Sequence, residues 1–82
     1  MAIDDIIKTV SIMSGVSVAD IVGKSRKEDI LKSRQYVCWE AYRKGHTLSA
    51  IGKKMNMGHP NVHHSVKAFY NRIETSNTKI KL

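Results

Sequence analysis

The stretch from Thr47 to Ile73, TLSAIGKKMNMGHPNVHHSVKAFYNRI, leaves a short chain few folds to choose from. Leu48, Ile51, Gly52 and Met55 recur at three- and four-residue steps, and Thr47 before them is a good N-cap. The helical period then resumes with Val62, Val66, Phe69 and Ile73, after only Asn56-Met57-Gly58 as a turn. Pro60 suits the first residue of this second helix, where its missing N–H breaks no bond. Two amphipathic helices joined so tightly must bury their apolar stripes together, which gives a helix-turn-helix. Gly52 lies on the inward stripe at a cost of roughly 1 kcal/mol against alanine, so close approach of the next helix is expected there.

The outward face of the second helix carries Pro60, His64, Lys67 and Asn71, with Asn61 to one side and His59 at the tip. No Asp or Glu occurs between Ala41 and Ile73. Charge is also unevenly spread along the chain. Residues 1–23 hold Lys8 against Asp4, Asp5 and Asp20, whereas residues 24–82 hold thirteen bases against four acids, within a formal total of +7. Such asymmetry points to a polyanion partner, or in the blander reading to a merely soluble basic surface.

The remaining segments read as support. Ile3, Ile6, Ile7, Val10 and Met13 make one stripe of a first helix over 3–14, with Asp4 and Asp5 at the positive end of its dipole and Gly15 as its stop. Ser17-Val18-Ala19-Asp20 has capping-box spacing and opens a short second helix, with Val18, Ile21 and Val22 buried and Gly23 ending it. A third helix is expected over Leu31–Lys44, with Leu31, Val37, Cys38, Ala41 and Tyr42 inward and Trp39 against the N-terminal helix. Glu40 is expected on a solvent-facing flank, and Cys38 as a buried small hydrophobe rather than a nucleophile. The connecting residues 24–34 form a basic loop containing Lys24, Arg26 and Lys27. It is either a solvated linker or a loop that lays an arginine in a minor groove.

Several chemistries lack their residues. His59 and His63 have the spacing of paired zinc ligands, but Cys38 is the one thiol and no Glu separates the histidines, so no metal is expected. No nucleophile has a positioned base, and no phosphate-loop pattern exists, so neither an enzyme nor a nucleotide or other cofactor is expected. There is no long apolar run, and the N-terminus is acidic where a secretory signal is basic, so neither membrane nor export is expected. The lone cysteine suits a reducing, intracellular compartment. Aromatic residues are few, and the sequence suggests no stacking platform for RNA.

Two stretches, VSIMSGVSVADIVGKSRKEDILKSRQ (Val10–Gln35) and LSAIGKKMNMGHPNVHHSVK (Leu48–Lys67), carry a resemblance. They resemble the C-terminal DNA-binding domain of the bacterial replication initiator DnaA, in the Trp-repressor-like helix-turn-helix group. The second stretch is similar to the family signature L-x-x-I-G-x-x-F-G-x-R-D-H-T-T-V-x-H-A. The resemblance implies that Arg26 enters the minor groove, that Arg34 clamps phosphate, and that Thr47 lies near a backbone phosphate. It also implies that His59 reads a base, that Pro60 and Asn61 stand where the family has its hydroxyl pair, and that His64 matches the later histidine. Gly58 replaces the family's acid, and Pro60 has no donor to offer a base. Asn61 instead offers the bidentate amide contact that suits adenine. The family's ATPase domain has no counterpart here, so the resemblance implies a stand-alone reader, of bacterial or phage origin, or an excised domain.

The expectation is therefore an all-α bundle of about five helices, with a helix-turn-helix domain over 1–75 and a flexible tail over 76–82. Double-stranded DNA is the expected partner, read by a recognition helix over about 59–74 and by the loop. Lys24, Lys27, Arg34, Lys53, Lys54 and Lys67 would neutralise phosphates. The setting would be the cytoplasm and nucleoid, and the role replication or transcription. The rival readings are a basic protein-interaction module and a non-specific architectural DNA binder.

Overall fold

The helix expected at the centre of the chain is longer than its apolar pattern suggests, and the rest of the molecule packs around it. The computed structural model describes the backbone of residues 1–81 and the side chains of residues 1–73; of the tail expected over 76–82, residues 76–81 continue the last helix and Leu82 lies outside the described residues. Among the described residues there are five helices: α1 (Ile3–Ser14), α2 (Val18–Ile21), α3 (Glu28–Arg43), α4 (Leu48–Met55) and α5 (His59–Lys81). The bundle is all-α, as the periodicity implies. No described helix is long and apolar enough to cross a membrane.

Helix α3 starts three residues before Leu31 because Glu28 and Asp29 sit in its first turn, where the helix dipole favours carboxylates. That start sets the register. Ile30 is buried and Leu31 exposed, the reverse of the expected inward residue, while Val37, Cys38 and Ala41 are fully buried. Tyr42, also expected inward, is exposed. Helix α3 packs against all four other helices, most extensively against α5.

Helix α1 buries Ile3, Ile6, Ile7 and Val10 but leaves Met13 79% exposed. Its apolar stripe outlasts the core beneath it and ends beside a shallow hollow lined by Tyr36 and Phe69. Gly15 closes the helix in the left-handed region, with φ of 77°. Ser17 caps α2 by accepting the Asp20 N–H at 3.1 Å. That helix buries Ile21 while Val18 faces solvent, and Val22 rather than Gly23 is its C-cap.

Trp39 packs away from the N-terminal helix, against α5. Its ring centroid lies 5.0 Å from that of Phe69 and 6.1 Å from that of Tyr36. Glu40 is half-buried, and its carboxylate accepts from Arg43 Nε at 2.8 Å.

Candidate nucleic-acid interface

Helix α4 begins as the sequence implies, with Thr47 Oγ1 accepting the Ala50 N–H at 3.1 Å. Its C-cap, Asn56, adopts the left-handed conformation (φ 56°, ψ 45°), which asparagine tolerates better than most residues. The chain then doubles back, and Met57 N–H donates to the Gly52 carbonyl at 2.9 Å. A Cβ on Gly52 would stand 2.7 Å from the Met57 carbonyl oxygen and 3.6 Å from Val62 Cγ2. Only glycine lets the turn come this close. The expected close approach is therefore made chiefly by the backbone of the turn.

This turn sets the pose of α5. Val62 is fully buried, with Ser65 beside it on the inward face, and His59, Pro60, Asn61, His64 and Lys67 all face solvent. Asn61 and Val62 N–H groups both donate to the Gly58 carbonyl, which closes the first turn of the helix. The exposed end thus presents imidazole, carboxamide and ammonium groups, none of them acidic.

The basic loop is not a free linker. Arg34 is only 7% exposed, and its guanidinium is spent largely on main-chain carbonyls. Nε donates to Ile21 at 2.9 Å, Nη1 to Ser25 at 2.9 Å and Nη2 to Asp20 at 3.0 Å. Three of its five N–H groups are used in this way. Where the resemblance places a phosphate clamp, the fold has a brace that holds the loop against α3. The sequence carries no signal for this, because backbone acceptors have no letter code.

A second tie links the loop to the helix-turn-helix. Lys24 Nζ donates to the Asn56 carbonyl, the C-cap of α4, at 2.8 Å. Between loop and helix lies a cleft of about 330 Å³, whose walls include Lys24, Arg26 and Arg34 on one side and Asn61, His64 and Ser65 on the other. No carboxylate is among the described residues lining it. The fold thus brings together candidates that lie more than thirty positions apart in sequence.

Other candidates fall elsewhere. Lys27 and Lys53 are exposed, and Thr47 stands at the start of α4. Lys54 is engaged with α1, its Nζ 3.0 Å from Asp4 Oδ2. Cys38 is fully buried near Met57 Sδ (3.8 Å), and burial pushes its thiol pKa up to about 11. No group of three potential metal ligands converges among the described residues.

A family model described as the bacterial dnaA protein helix-turn-helix matches residues 3–68, from the start of α1 into α5. The chain is also 34% identical, over 79 residues, to the chromosomal replication initiator protein DnaA of Kosmotoga olearia. That match covers 95% of this chain and 18% of the relative, so the chain spans less than a fifth of the initiator's length. No solved structure gives a significant match. The matched span holds α1 to α4, the braced loop, the turn on Gly52 and the exposed first turns of α5, and on this footing the chain belongs to the bacterial DnaA helix-turn-helix family.

Proposed function

We propose that this chain binds double-stranded DNA and reads its sequence. In this reading the first turns of α5 enter the major groove, with His59 and Asn61 at base edges and Pro60 shaping the tip. His64 and Lys67 lie along the groove wall. Arg26 reaches from the loop into the neighbouring minor groove, and Lys24, Lys27, Lys53, Lys54 and the α4 start at Thr47 face phosphates. The observation that carries the reading is the shared cleft, which puts Arg26 opposite Asn61 and His64 with no carboxylate among its described lining residues. Arg34 acts mainly by holding the loop, and it also lines the same cleft.

The biological role follows from that grip. In this reading the chain gives sequence-specific DNA recognition to the regulation of replication or transcription on bacterial or phage DNA in the cytoplasm. The departures at Gly58, Pro60 and Asn61 point to a target site of its own.

Selection from randomised duplexes, followed by titration of the recovered site, tests this. Asn61→Ala should cost about 1–3 kcal/mol against the preferred site and relax preference at one position. Failure of the parent chain to bind any duplex at low salt would refute DNA binding. Unchanged preference in Asn61→Ala would refute the docking orientation.

A further inference from the structure

The chain has five aromatic residues, and the fold gathers them along the seam of α3 and α5: Tyr36, Trp39 and Tyr42 on one helix, Phe69 and Tyr70 on the other. Tyr36, Trp39 and Phe69 pack on one another, with centroids 5.0–6.1 Å apart. Their mutual packing accounts for helix pairing. It does not account for Tyr42 and Tyr70, which are each 52% exposed. These two rings line an open cleft of about 380 Å³ together with Leu48, Val66 and Trp39. The charged side chains lining it are cationic, Arg43 and Lys67, with the imidazole of His63 beside them, and no carboxylate is among its described lining residues. Arg43 lies 5.3 Å from the Trp39 ring centroid and is held there by Glu40 at 2.6 Å.

We propose that this cleft is a second nucleic-acid site, which stacks unpaired bases of a single strand on the exposed rings of Tyr42 and Tyr70, beside Trp39, while Lys67 and Arg43 hold the adjoining phosphates. Base faces need flat aromatic surface and the backbone needs cations. The cleft supplies both in one lining, and its charge complements a polyanion. An apolar protein segment would find the same apolar residues, but the cationic side chains favour a ligand that brings regular negative charge. Lys67 is shared with the proposed duplex contacts, but Tyr42, Trp39 and Tyr70 take no part in them, so the stacking goes beyond that reading and is tested apart from it through the two tyrosines. The sequence suggested no stacking platform because its aromatics are few and split between two distant segments; only the pairing of α3 with α5 assembles them.

Trp39 is the chain's single tryptophan, so its emission reports on this cleft alone. The full chain is titrated at low salt with oligo(dT) and oligo(rU) of about twelve nucleotides, and with an abasic strand of equal length. Saturable quenching by oligo(dT), oligo(rU) or both, with the abasic strand at least tenfold weaker, is the expected result. Tyr42→Ala and Tyr70→Ala should each weaken oligonucleotide binding by about tenfold, while duplex affinity, read by anisotropy, stays within about twofold. Equal binding of the abasic strand, or unchanged quenching in both variants, would overturn the proposal. So would an acidic, aromatic peptide that quenches Trp39 when neither oligonucleotide does. Oligonucleotide binding without duplex binding would sink the duplex reading and leave this one intact.

Discussion

Replacing Arg34 separates a brace from a phosphate ligand. A residue that only clamps DNA can be removed from the free protein at little cost. Arg34→Ala instead strips donors from three carbonyls, those of Asp20, Ile21 and Ser25. The bond to Ile21 is buried and the other two are partly buried. Charge-assisted bonds contribute roughly 1.5–3 kcal/mol each, less where water can replace the donor. Counting the buried bond in full and discounting the others gives a destabilisation of about 2–4 kcal/mol. For a domain of this length, whose whole stability is on the order of 5–10 kcal/mol, that is a large share. The melting temperature should fall by roughly 10–25 °C. Urea unfolding without DNA is the assay, with Arg34→Lys as comparator, because an ammonium cannot reach all three acceptors and should lose about half as much. Loss of less than about 0.5 kcal/mol in Arg34→Ala would refute the brace, because surface positions with no such role usually fall within that range.

Two further outcomes follow from side chains whose surroundings the fold reveals. Asp4→Asn removes the partner of Lys54. Both groups are more than half exposed, so stability should change by less than about 1 kcal/mol. Duplex binding should tighten, with a salt slope steeper by up to about one unit as Lys54 becomes free for phosphate; an unchanged slope would place Lys54 off the DNA. Cys38 gives a pH test. Its folded pKa of about 11 lies above the ordinary value of 9.0, so the folded state keeps its proton where the unfolded chain has lost it. The thiol's contribution is complete below about pH 9 and is lost as pH rises towards 11, at up to about 1.4 kcal/mol per unit. Chemical unfolding of the parent and Cys38→Ala across that window should show their stability difference shrinking; a constant difference would mean the thiol is not shielded.

What was legible in the sequence was whatever rests on period and cap chemistry. The α4 stripe, the Thr47 cap, the close turn at Gly52 and the outward row of α5 all follow from residue spacing, and all appear where spacing puts them. Helix α3 was misplaced by three residues because its first turn is held by Glu28 and Asp29, whose effect is electrostatic and leaves no apolar mark. Met13 continues a periodic stripe past the point where any core remains to receive it. The basic loop was legible as a cluster of bases, but its order was not. Arg34 and Lys24 bind main-chain oxygens, and a sequence names only side chains. The aromatic cleft was hidden for a related reason, since its two halves lie on helices separated by α4.

That hidden order bears on how a small protein could grip a duplex at two grooves. A loop that becomes fixed only on binding gives up roughly 1–2 kcal/mol of backbone entropy per residue, a cost that would erase the gain from one well-placed arginine. Here the loop is fixed beforehand. Arg34 ties it to the end of α2 and to Ser25, and Lys24 ties it to the C-cap of α4. The position of Arg26 is therefore set by the same turn that aims His59 and Asn61, because Asn56 is both the acceptor for Lys24 and the left-handed residue that reverses the chain. A change at Asn56 would displace the loop and the start of α5 together, whereas a change at Arg34 releases the loop and the end of α2 and leaves the turn in place. If both contacts are made as proposed, the ties that join the loop to the turn in the free protein fix their spacing, which should select a DNA site by groove width as well as by base identity.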